Sequence, residues 1–174
     1  MAETALICRV PEAERYVAHY RKRFDPSARR GVPAHITVLY PFLPLADIDD
    51  TVLAELHVIA RKVHRFRYRL IEPKRFAVSV WLAPDPDESF NELTRSVVRS
   101  FPDCPPYSGK FATVVPHLTV AHGDEPLLCE IAVELRLALP RSVGIVAHCT
   151  ELELIEDSAG DWRTLQVFPL GSDA

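Results

Sequence analysis

Apolar and polar positions along this chain change period several times, and each change marks an element. Positions 5–10 form a short apolar run closed by Pro11, which predicts a strand. From 12 to 24, Ala13, Tyr16, Val17 and Tyr20 recur at helical spacing, so a helix follows. Pro26, Gly31 and Pro33 make 25–33 a loop. Positions 35–40 alternate as a strand and stop at Pro41 and Pro44. Asp47 or Asp49 can then cap a helix whose stripe is Val52, Leu53, Leu56, Ile59, Ala60 and Val63.

Positions 66–70 and 76–82 alternate again, separated by Pro73, and predict two antiparallel strands. Asp85-Pro86-Asp87-Glu88 opens a second amphipathic helix that buries Phe90, Leu93, Val97 and Phe101 and ends at Pro102. A long irregular loop, 102–116, leads into a strand at 117–122. Beyond it, 125–137 is a helix or a looser connection. Positions 142–155 read as one long alternating strand, and 162–170 as the last, joined by a turn at 157–161 that contains Gly160. Strand, helix and strand thus come in the same order early and late.

Two of these strands open on the same four-residue phrase. His35-Ile36-Thr37-Val38 returns as His117-Leu118-Thr119-Val120, each copy preceded by a Val-Pro step. On an extended strand the histidine and threonine share one face and the apolar pair takes the other. A proton carrier and a hydroxyl donor are therefore presented together, twice, from strands that can rest on a core. The copies stand 82 positions apart, near half of the 174-residue chain, as duplication of a strand-helix-strand unit would place them.

The bare pattern His-x-Thr is not rare here. Composition alone predicts about 0.3 occurrences, yet three are present, the third being His148-Cys149-Thr150. That copy has Glu151 where the others have valine, and His148 shares a strand face with Val146, Leu152 and Leu154, so it is expected to face the core or a cleft wall and to take no part in catalysis. His122 is expected on the face opposite His117, and His19, His57 and His64 in or beside helices.

Composition narrows the picture further. With 48% apolar and 25% charged residues the chain can bury a substantial core, and a net charge of -4 supplies no uniform basic field, so duplex DNA is not an expected partner. Basic runs around 61–69 and 21–30 can attract a phosphorylated substrate or simply face solvent. No apolar run reaches the roughly 20 residues of a membrane helix, and Met1-Ala2-Glu3-Thr4 has no signal-peptide character, so no membrane association and a cytoplasmic location are expected. Cys8, Cys104, Cys129 and Cys149 are scattered, with no zinc or redox pairing, and no metal or other cofactor is expected.

The two motifs resemble the hallmark of the two-histidine (2H) phosphoesterases, and the first, extended through Leu39-Tyr40-Pro41-Phe42, is similar to the 2′-5′ RNA ligase-like and cyclic phosphodiesterase branch. That resemblance implies an α+β fold: one bilobal, pseudo-symmetric domain over 1–174, with antiparallel sheets lining a central groove and helices outside. It implies that His35, Thr37, His117 and Thr119 are catalytic, acting without a metal on 2′,3′-cyclic phosphate or 2′-5′ linkages of nucleotides or RNA ends. Tyr40, and Tyr107 and Lys110 in the 102–116 loop, are candidate substrate contacts, and a monomer is expected. A nucleotide or RNA-end binding module without turnover is the alternative; two matched proton-transfer groups argue against it.

Overall fold

The computed structural model describes residues 2–110 and 114–172. Its strands are β1 (Thr4–Arg9), β2 (His35–Leu39), β3 (Phe66–Phe76), β4 (Ser79–Asp85), β5 (Leu118–His122), β6 (Ile145–Cys149), β7 (Glu151–Glu156) and β8 (Arg163–Pro169). Its helices are α1 (Glu14–Phe24), α2 (Pro26–Arg29), α3 (Asp50–Lys62), α4 (Glu88–Ser100) and α5 (Glu125–Ala138). Local chemistry sets several boundaries. The Asp49 carboxylate accepts from the Val52 N–H to start α3, and Asp124 does the same for Leu127 in α5.

The strands form two antiparallel sheets, in the orders β2-β1-β7-β8 and β5-β4-β3-β6. The unit strand, helix, motif strand occurs twice, as β1-α1-β2 and β4-α4-β5, and each motif strand is the outer edge of its sheet. The two units are clasped. Helix α1 packs against β5 of the other sheet, α4 packs against β2, and the Thr94 hydroxyl of α4 donates to the Val38 carbonyl at 3.0 Å. One cluster of buried side chains draws on both sheets: Ile36 and Leu6 from the first, Tyr68, Leu82 and Leu118 from the second, with Val17 and Leu93 from the helices between. Ile36, Val38, Leu118 and Val120 are at most 2% exposed, and each contributes roughly 1.5–3 kcal/mol by burial. The apolar positions of the two motifs are thus what fixes the polar ones. Among the described residues no helix is long and apolar enough to cross a membrane.

Four expectations need correction. Pro73 does not separate two strands: β3 runs through it, because one extra residue between Leu70 and Pro73 forms a bulge at which the missing proline N–H is tolerated. The run 142–155 is not one strand. It changes sheets at Thr150, β6 pairing with β3 and β7 with β1 and β8. The predicted helix at 12–24 starts with a 3₁₀ turn over Pro11–Ala13, and the 25–33 loop holds the short helix α2, which Asp25 caps through the Ser27 N–H.

Candidate active site

The edges β2 and β5 lie side by side without pairing, and the gap between them is a groove of about 390 Å³. His35, Thr37, His117 and Thr119 all line it, the first pair from one sheet and the second from the other. Both histidines are held by the same local device. His35 Nδ1 lies 2.8 Å from the Pro33 carbonyl and His117 Nδ1 lies 2.7 Å from the Val115 carbonyl, in each case two residues back along the chain. A carbonyl oxygen only accepts, so Nδ1 carries the proton and Nε2 is the free nitrogen. Each ring is thereby set as a base through Nε2 when neutral and as an acid through the same atom when charged.

The environment makes both rings weak bases. Burial, followed by the charge of Arg21, pushes His35 down to about 4, against the opposing pull of the Pro33 carbonyl and Asp25. Burial also lowers His117, and His122 adds to that, while the Val115 carbonyl resists. Arg21 is itself buried, paired with Asp25 at 2.9 Å and donating to the Ser27 hydroxyl at 3.2 Å. A fixed positive charge therefore stands behind His35, held by a carboxylate whose other oxygen is occupied by Ser27.

The same irregularity occurs in both motif strands. Ile7 pairs with Thr37 and Leu6 with Leu39, leaving Val38 as an extra residue; Trp81 pairs with Thr119 and Val80 with Ala121, leaving Val120 extra. Alternation reverses at each bulge. Val38 and Leu39 both go to the core, as do Val120 and Ala121, and the residues that follow turn back to the groove. Those residues are Tyr40 and His122. His122 thus lines the groove, not the opposite face, and the phase change of the bulge is the reason.

Tyr107 forms part of the wall. Its N–H donates to the Tyr40 carbonyl at 2.6 Å and its side chain hydrogen-bonds Thr37. It and Ser108 adopt left-handed backbone angles, φ 52° and 54°, which cost roughly 1–2 kcal/mol each in non-glycine residues. Burial pushes the Tyr107 phenol up, so it stays protonated and able to donate. Lys110 is exposed and is not among the residues lining the groove; residues 111–113 of the 102–116 loop lie outside the described residues. His148 faces neither core nor cleft: its side chain is exposed, 3.7 Å from Glu12.

Sequence reasoning also missed an aromatic wall of the groove. Trp162 lines the groove above the apolar floor of Ala5, Ile7 and Ile155, with Tyr40 edge-on at 6.1 Å and the Arg30 guanidinium 5.6 Å over its ring. Arg30 is fixed by Asp157 at 2.7 Å, and its carbonyl accepts the Trp162 N–H at 2.7 Å. No local pattern joins positions 30 and 162. The one available signal was a tryptophan directly after the Gly160 turn. Among the described residues, no group of three or more His, Cys, Asp or Glu side chains is placed to hold a metal ion.

The model of the 2′-5′ RNA ligase superfamily matches residues 10–161. Solved structures share the fold. Escherichia coli LigT complexed with 3′-AMP aligns with a TM-score of 0.62 at 18% identity, covering 97% of each chain. The protein TT0787 of Thermus thermophilus gives 0.61 at 19% identity, covering 99% of this chain and 100% of the other. LigT complexed with NADP+ gives 0.53 at 18% identity, again over 97% of each chain. No curated protein matches the chain in sequence.

Proposed function

This chain belongs to the 2′-5′ RNA ligase superfamily, and from that premise we propose that its groove is a phosphodiesterase site. It acts on 2′,3′-cyclic phosphates or 2′-5′ linkages of nucleotides or RNA ends, with His35 and His117 as the proton-transfer pair and no metal ion. The observation that carries this reading is the duplicated ring setting: two histidines on facing sheet edges, each with Nδ1 tied to a carbonyl two residues back and Nε2 free. We read the chain as one bilobal domain, since both sheets feed one core.

Hydrolysis of a cyclic phosphate needs water to attack phosphorus while the ribose oxygen leaves roughly in line. One Nε2 takes the water proton and the Nε2–H of the other protonates the departing oxygen. The products are a phosphomonoester and a free hydroxyl. The substrate's orientation decides which ring is base and which is acid. Thr37 and Thr119 donate to the non-bridging oxygens as charge builds on them. Both rings are poor bases in the empty groove, so the phosphate anion supplies the field that lets one hold a proton.

The nucleotide part of the reading is supported by the Trp162 wall, which offers a flat face and a guanidinium beside the groove. LigT, of the same fold, has been solved with 3′-AMP and with NADP+. Turnover of 2′,3′-cyclic nucleotides in excess EDTA tests the proposal. Activity is expected in the wild type and a loss of about 10²–10⁴-fold in His35→Ala or His117→Ala; undiminished rates in either variant would sink the assignment.

A further inference from the structure

On the second sheet, Trp81 pairs with Thr119 on one side and with Lys74 on the other, so all three side chains leave the face that carries the reacting groups. Phe76 stacks on Trp81, ring centroids 4.6 Å apart and planes at 21°. The His117 ring meets both edge to face, 5.3 Å from Phe76 and 5.7 Å from Trp81. Trp81 is covered, with the Lys74 amine 5.8 Å from its ring centre, but Phe76 keeps 43% of its surface exposed. Val78 at 62%, in the turn of the same hairpin, and Val115 at 40%, two residues before His117, are exposed as well. An aromatic ring left this open against a candidate reacting group offers a ligand a flat apolar surface.

We propose that Phe76 is the platform for a nucleoside attached to phosphorus on the His117 side, so that the preferred substrate is a joint between two nucleosides, one against Trp162 and one against Phe76. The inference rests on reading the groove as a phosphodiesterase site. Space supports it: about 390 Å³ is near the low end for small-ligand sites, so a second nucleoside must lie on a neighbouring surface. Continuity supplies that surface, because a substituent leaving past His117 emerges against Phe76. Charge limits the occupant. The cavity beyond Trp81 is walled by Glu72, Asp85, Asp87 and Glu88 together with Lys74, and Asp85 is paired with Arg69; the negative charge left over disfavours a further phosphate and favours a terminal nucleoside over a continuing strand.

The test compares 2′-5′-linked adenylyl-adenosine with 2′,3′-cyclic AMP in the wild type, Phe76→Leu and Phe76→Tyr. Leucine keeps an apolar contact for His117 and removes the flat face; tyrosine keeps both. The ratio of kcat/KM values, dinucleotide over cyclic, is expected to fall about tenfold in Phe76→Leu and to return in Phe76→Tyr. An unchanged ratio, or equal losses on both substrates, would overturn the platform, since a ring that merely orients His117 affects both reactions alike. If the wild type turns over neither substrate, the phosphodiesterase reading fails separately, and calorimetry still judges the platform. The dinucleotide must then bind about tenfold more weakly to Phe76→Leu than to the wild type; equal affinity overturns it.

Discussion

Filling the groove with an anion should change the protonation of His35, and the size of the change follows from its surroundings. In the empty groove, burial and Arg21 hold the ring near 4, so at pH 5.5 only about 3% of it is charged. An opposite charge within a few ångström raises a histidine by about 1–3 units. Taking about two units, the ring moves to about 6 and is roughly three-quarters charged at the same pH, so binding takes up about 0.7 proton at this site. Sulfate is a suitable probe, being tetrahedral and fully ionised throughout the range. Titration of the His35 ring by NMR, free and with saturating sulfate, reads both values directly. The kinetic counterpart is a pH optimum for kcat/KM below 6.5 and an optimum for kcat at higher pH, because the first reports free protein and the second the complex. A free-protein titration at or above 6.5, or one that sulfate leaves in place, would refute the reasoning.

Stability should follow the same residue. The folded value lies below the unfolded one, so stability is fully present above about 6.5 and falls as pH drops towards 4, by up to about 3 kcal/mol; denaturant melts of His35→Gln should show a shallower loss over that window. Arg21→Met removes the buried charge behind the ring, so the His35 titration should move to higher pH, and leaving Asp25 unpaired should cost about 3–5 kcal/mol in the same melts. Thr37→Val and Thr119→Val should each lower kcat by about 10²-fold or more with little change in fold, read by steady-state kinetics beside circular dichroism. The buried Tyr68 hydroxyl has no hydrogen-bond partner among the described residues, so Tyr68→Phe should leave stability unchanged or raise it by about 1 kcal/mol, a Tm increase of about 2–4 °C in a scan.

What the sequence revealed about this fold was whatever repeats at short range. Ile36, Val38, Leu118 and Val120 announce two core-backed strands, and the polar residues that alternate with them are the candidate reacting groups. Period-two reading failed where one extra residue changes the phase: it put His122 on the wrong face and gave no structural reason for Tyr40 to face the groove. It failed also at Thr150, where both flanking segments alternate but belong to different sheets, so His148 fell outside the cleft. Trp162 and Arg30 meet only because β7 and β8 close beside β1. Such contacts belong to the tertiary fold, and local periodicity carries no trace of them.

The unpaired edges β2 and β5 carry a consequence for how the molecule avoids its own kind. Each presents a row of backbone donors and acceptors that could accept a strand from another copy. Here the two edges lie beside one another without pairing, and Pro33 and Pro116, just ahead of the two histidines, lack N–H groups where a ladder would begin. The cleft is a seam at which the two sheets stop short of becoming one. Closing that seam by hydrogen bonding would draw the two motif strands together and narrow the groove, so the spacing that keeps the groove open also keeps the two sheets apart.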